Sequence, residues 1–214
     1  VNPDEIINDY GADTMRVYEM FIGDFEKAAP WSQSSIKGSK RFLDKVFALQ
    51  DILVDGDSYR KELEPEIHKT IKKVTDDIEG LKMNTAIASL MSLLNAITAT
   101  GSINKTEFKT FILLLNPFAP HITEELWQIA GFDGMLNQAK WPEYDESKCV
   151  DSTVQIAVQV NGKIKARIDV AADIDAPSAI ALAKENSNVA GEIEGKTVIK
   201  ELYVPKRLVN IVVK

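Results

Sequence analysis

The sequence predicts a multidomain α+β chain, an antiparallel α-helical bundle followed by a small ββαββ domain. Three observations carry that expectation. Apolar residues recur with a helical period up to about residue 130 and with a strand period from residue 154 onward. The charge balance changes at the same place, with 16 basic and 24 acidic side chains in residues 1–150 but nine and eight in residues 151–214. An Asn161-Gly162 step between two alternating runs is a strong hairpin signal, because both residues tolerate positive φ. At 214 residues and 45% apolar content the chain can fill two small cores and is too apolar for wholesale disorder.

The first helix is expected to start at Asn2, with Pro3 at its first position and Glu5 placed to close a capping box. After Gly11 a second segment runs from Asp13 to about Ile22, with Met15, Tyr18 and Ile22 on one stripe. Pro30-Trp31 marks a break. Ile36, Leu43, Val46, Phe47 and Leu53 then follow the helical repeat over roughly 32–53, and the Asp55-Gly56-Asp57 turn ends it. Leu63, Ile67, Ile71, Val74 and Ile78 carry a helix over 62–79, with Pro65 in its first turn. The next, over 84–100, has only small or uncharged polar residues, which suits the centre of a bundle. Asn104 and Glu107 repeat the capping-box spacing ahead of Phe108, Phe111, Ile112 and Leu115, and Pro117 and Pro120 separate that helix from a short one containing Trp127. Residues 131–150 read as an irregular connector. Alternation at 154–160 and 164–170 gives two strands, an Ala-rich stretch over 177–188 one helix, and 197–204 and 208–213 two more strands.

Much chemistry is excluded by what the sequence lacks. A single cysteine, Cys149, forms no internal disulfide, and His68, His121 and Cys149 lie too far apart to read as a zinc set. No Gly-rich phosphate loop, serine elbow or His-Asp framework is present. No run approaches a membrane span, and the start shows no signal-peptide pattern. Residue 1 is Val and helix signals begin at once, so a piece of a longer protein is expected.

Basic clusters are more informative against a net charge of −7. Lys37, Arg41 and Lys45 recur every four residues with Lys40 beside them, a spacing that suits contact with a phosphate backbone or a plain solvated helix face. Trp31 just before them either stacks on a base or plugs the bundle. Period-2 spacing places Lys163, Lys165 and Arg167 on one strand face, opposite Ile164, Ala166 and Ile168, and Lys206-Arg207 adds charge at the next turn. His121 is expected to make a local hydrogen bond and Trp127 to sit in the core.

The runs Tyr10-Gly11-Ala12-Asp13-Thr14-Met15-Arg16, Met83-Asn84-Thr85-Ala86-Ile87 and Asn116-Pro117-Phe118-Ala119-Pro120-His121-Ile122-Thr123-Glu124-Glu125-Leu126-Trp127 resemble segments of large class I aminoacyl-tRNA synthetases. Val154 to Arg167 resembles the opening hairpin of the C-terminal domain in the bacterial leucine members. The resemblance implies the class I anticodon-binding fold and four parts. These are a link from a catalytic core (1–30), a helical bundle (31–130), a connector (131–150) and a tRNA-contacting ββαββ domain (151–214). It implies tRNA(Leu) and the enzyme's own catalytic and editing domains as partners, a cytoplasmic monomer, and no membrane. Catalytic residues and cofactors are expected to be absent from this stretch, with ATP and magnesium used by the full-length enzyme. Asp13 and Arg16 are expected in packing or interdomain ion pairs. A valine or isoleucine enzyme, or a non-enzymatic interaction module, are the competing readings.

Overall fold

The computed structural model describes residues 2–23, 27–28, 30–149 and 153–214. They form two compact units, 1–149 and 150–214. Helices and sheets are mixed along the chain, as expected.

The first unit is helical. Helices α1 (Pro3–Tyr10), α2 (Ala12–Phe21) and α3 (Gln33–Phe47) are followed by a 3₁₀ turn over Ala48–Ile52 and the two-residue strand β1 (Leu53–Val54). Helices α4 (Glu64–Glu79) and α5 (Met83–Ala99) lead to β2 (Ile103–Asn104), which pairs parallel with β1. Helices α6 (Lys105–Leu115) and α7 (Pro120–Ile129) complete the unit. Its starts follow local chemistry. The Asn2 and Ser32 side chains accept from Asp4 N–H and Ser35 N–H, and Asn104 with Glu107 forms a full capping box.

One core spans these helices, with Ile87, Leu90, Leu94, Phe108, Phe111 and Phe118 fully enclosed. Glu107 lies inside it because Arg60 makes a bidentate pair with its carboxylate at 2.8–3.1 Å while Arg60 N–H and Asn104 N–H also donate. Burial alone would raise the Glu107 pKa, but these bonds hold it below the ordinary value. A smaller cluster of Ile6, Tyr18 and Ile36 joins α1, α2 and α3, with Trp31 edge-on to Tyr18 at 4.9 Å.

Two expectations for this unit change. The third helix stops at Phe47 rather than near residue 53, and the tightening to 3₁₀ leaves Phe47 40% exposed instead of buried. Residues 131–149 hold two 3₁₀ turns, and Leu136 is buried with its N–H donating to Glu124.

In the second unit β3 (Thr153–Val160) and β4 (Lys163–Ala171) form the expected hairpin, with Asn161 and Gly162 at φ 51° and 79°. The single helix expected next is two, α8 (Ala176–Glu185) and α9 (Ser187–Ile193), so the order is ββααββ. Asn186 takes an extended ψ of 127° and its side chain accepts from Asn188 N–H, which stops one helix and caps the next. Strands β5 (Val198–Val204) and β6 (Leu208–Val213) complete a sheet ordered β4-β3-β6-β5, with the central β3–β6 pair parallel. One face, carrying Ile156, Val158, Val209 and Ile211, is buried with Ala179, Ala183 and Val189 of the two helices.

Trp127 is 2% exposed, its indole N–H donating to the Gly134 carbonyl at 3.1 Å and its ring tilted against Phe132. Trp127→Ala is expected to cost about 3–5 kcal/mol, read as a fall in the urea unfolding midpoint. An unchanged midpoint would remove it from the core.

Candidate nucleic-acid interface

Helix α3 must bury Ile36, Phe42, Leu43 and Val46, and that requirement turns Lys37, Arg41 and Lys45 to solvent as one stripe. Among the described residues none of the three has an ion-pair partner. Arg41 and Lys45 line a groove of about 410 Å³ with Gly38, Phe42 and, from α5, Met91, Leu94 and Asn95. Lys40 is set apart from them. It pairs with Asp44 and borders a different groove, of about 590 Å³, beside Asp13 and His121. The predicted cluster of four is therefore a stripe of three plus a neutralised neighbour. Trp31 is half-buried against Tyr18, and its enclosed indole nitrogen has no hydrogen-bond partner among the described residues. That placement favours the plug over a base-stacking platform.

The hairpin departs from simple alternation. Val158 faces Ala166 and Gln159 faces Ile164, leaving Lys165 as an extra residue in β4. Such a bulge reverses the facing of everything beyond it. Lys163 is consequently opposite the buried Val160, on the helix-covered side, and Lys165 pairs with Glu192 of α9. The Lys165 ammonium, with Lys163 close by, holds the Glu192 carboxyl below its ordinary pKa. Only Arg167 of the predicted row stays on the open face, opposite Ala157.

The parallel β3–β6 pair brings a different set together. Ala157 neighbours Leu208 and its N–H donates to the Arg207 carbonyl, so Arg167 and the exposed Lys206-Arg207 turn lie two strand spacings apart, about 10 Å. The register adds Lys200 through Val212, and Ile164 and Leu202 through Gln159 and Asn210. Ile164 and Leu202 are 56% and 47% exposed. The open face thus carries Ile164 and Leu202 on its two outer strands, with Gln159 and Asn210 between them and cations toward its ends. Strand alternation had assigned Ile164 to the interior; the bulge explains why its exposure was missed.

Asp13 and Arg16 both grip the segment joining α6 to α7. The Arg16 guanidinium donates to the Pro117 and Phe118 carbonyls, at 2.9 and 3.3 Å. Helix α7 begins after Ala119, which has no side chain able to cap it. The Asp13 carboxylate supplies the cap from α2, accepting from Ile122 N–H at 2.7 Å and lying 2.7 Å from His121 Nδ1. His121 therefore has a partner 108 residues away rather than a local one, and its side chain is three-quarters exposed. The described residues bring together no group of three or more His, Cys, Asp or Glu side chains able to hold a metal ion. None of the helices is long and apolar enough to cross a membrane.

Residues 60–180 match the family model described as the anticodon-binding domain of tRNA ligase. The chain is 51% identical over 214 residues to a leucine–tRNA ligase of Alkaliphilus oremlandii (strain OhILAs), covering all of this chain and 27% of that protein. It is also similar to the synthetase in the crystal structure of a ternary complex of Agrobacterium radiobacter K84 agnB2 LeuRS, tRNA and LeuAMS, with TM-score 0.67 and 25% identity. That likeness covers all of this chain and 30% of the solved one. The chain thus spans under a third of the length of the proteins it matches.

Asp13→Ala removes a carboxylate that satisfies two helix-start amides. The expected cost is about 1–3 kcal/mol in unfolding free energy, with the α7 amides His121 and Ile122, which donate to that carboxylate, losing hydrogen-exchange protection first. Unaltered protection at Ile122 would show that the cap contributes nothing.

Proposed function

This chain belongs to the family of anticodon-binding domains of tRNA ligases, and we propose that it is the tRNA-holding C-terminal part of a leucine–tRNA ligase. In that reading the whole enzyme attaches leucine to tRNA(Leu) with ATP and magnesium, in the cytoplasm and as a monomer. Residues 1–30 link the bundle to the catalytic body, 31–130 form an antiparallel bundle, 131–150 connect, and 151–214 meet the tRNA. Activation, transfer and editing belong to parts of the enzyme outside this chain. What the chain supplies is position, because transfer depends on holding the acceptor end where it reacts.

The observation that carries the proposal is the α3 stripe of Lys37, Arg41 and Lys45, exposed and without ion-pair partners among the described residues, on a unit whose overall balance is acidic. Fixed cations at helical spacing attract phosphate oxygens irrespective of base sequence, and Arg41 adds a planar fork. The open sheet face offers a second contact of another kind. Arg167, Lys200, Lys206 and Arg207 suit phosphates, and Ile164 and Leu202 suit the flat face of an unstacked base. The leucine relative, at 51% identity, favours leucine over valine or isoleucine. The family match leaves the non-enzymatic module without support.

Filter binding of tRNA(Leu) across a salt series tests this. Replacing Lys37, Arg41 and Lys45 together with Ala is expected to flatten the dependence of log K on log salt by about one unit per lost contact. A parent-like slope and affinity would remove α3 from the interface. In the hairpin, Arg167→Ala is expected to weaken binding more than Lys165→Ala, because Glu192 already engages Lys165. The opposite ranking would return the contact to the bulge.

A further inference from the structure

His68 sits in α4, 6% exposed, and faces the connector rather than the bundle core alone. Its Nδ1 accepts a hydrogen bond from Asp145 N–H at 3.0 Å. A backbone amide can only donate, so Nδ1 carries a lone pair and the ring proton belongs on Nε2. Among the described residues that buried nitrogen has no hydrogen-bond partner, and Glu64 Oε1 lies 4.0 Å away. Glu64 is meanwhile bound by Lys148 of the connector at 2.8 Å. The other groups facing the imidazole are Tyr59, edge-on at 5.5 Å, and the Asp145 carboxylate, which is itself engaged by Ser147.

We propose that His68 is a protonation-sensitive pin, and that one proton on its imidazole releases connector residues 143–149 from α4. Two holds fail together. A proton on Nδ1 sets donor against donor at Asp145 N–H, which ends that hydrogen bond. The imidazolium then offers Nε2–H and a positive charge to Glu64, in competition with Lys148. Every residue from Glu143 to Lys148 is solvent-exposed, so little apolar burial opposes release, and a remaining hold on α4 is the Lys72 ammonium 5.2 Å from the Tyr144 ring centroid. Upstream, Trp141 is anchored separately, its indole N–H donating to Thr75 Oγ1 at 2.9 Å. Release therefore stops short of it, and what changes is the freedom of the segment leading into the second unit.

Burial, then the Lys148 charge, lower the pKa of His68 from its ordinary 6.5, against smaller upward pulls from Glu64 and Asp145. For an imidazole lowered on folding, the stabilisation is complete above the unfolded value and is lost as pH falls through the folded one. The pin is thus closed at neutral pH and opens as pH falls through the lowered value of the folded imidazole.

The test uses ¹⁵N-labelled full-length chain followed by NMR from pH 8 to 5. His68 and His121 are the only histidines, which makes their ring signals assignable. The expected result is an Nε2–H tautomer at pH 8. As His68 titrates, Asp145 amide protection, corrected for intrinsic exchange, should fall by about tenfold or more. The Trp141 indole and the α4 and α5 amides should stay protected. His68→Gln keeps an acceptor that does not titrate, and should hold Asp145 protection constant over the range. Persistent pH dependence in that variant overturns the proposal. So does an Asp145 amide that ignores the titration of His68, or one that loses protection only together with Trp141 and α5.

Discussion

Helix α5 carries no charged side chain in seventeen residues, and a helix of that kind has to be covered from several sides at once. Helices α2, α4 and α6 lie directly against it, and Phe42, Leu43 and Val46 of α3 join the same core. Covering α5 leaves each neighbour little choice about which face it shows to water. On α3 the apolar residues occupy one stripe, so Lys37, Arg41 and Lys45 fall on the other. The proposed phosphate contact is therefore a by-product of core geometry in position, though not in residue type. Nothing in packing alone calls for three cations there.

Asp13 and Arg16 matter to the same bundle through backbone groups. The turn from α6 to α7 exposes the Pro117 and Phe118 carbonyls and then starts a helix at Ala119, which has no capping side chain. Left unpaired, those polar groups would each be costly in a part-buried site. Two side chains from α2, three residues apart and so on one helix face, satisfy both ends of the problem. This clasp fixes α2 to the far end of the bundle.

What could be read from sequence was what local chemistry decides. Capping at Asn2 and Asn104, the proline-led starts of α4 and α7, and the Asn161-Gly162 turn each depend on residues within one turn of chain. The bulge at Lys165 does not. Its signature is a pairing across the hairpin, and simple alternation placed Lys163, Lys165 and Arg167 together because nothing nearby says otherwise. The cap that Asp13 gives α7, and the connector amide that His68 accepts, span 109 and 77 residues. Asn186 falls between these cases: an asparagine inside an Ala-rich run can cap a helix or ride along in one, and tertiary packing selected the cap.

The two basic sites differ in how they would respond to salt and to shape. At physiological ionic strength charges screen over about 8 Å, so each site acts on the phosphates that touch it rather than through the field of the whole chain. The overall charge of −7 then matters mainly as a deterrent to non-specific RNA contact. Acid side chains around a few exposed cations penalise RNA that approaches in any other orientation. The α3 stripe lies on a rigid helix with a buried opposite face, so it holds its spacing and suits a regular duplex backbone. The sheet face mixes Ile164 and Leu202 with cations, and apolar contact requires a base already out of its stack. Such bases occur at loops and corners of folded RNA. On the proposed reading the α3 stripe would select duplex backbone and the sheet face an unstacked base, each on its own unit.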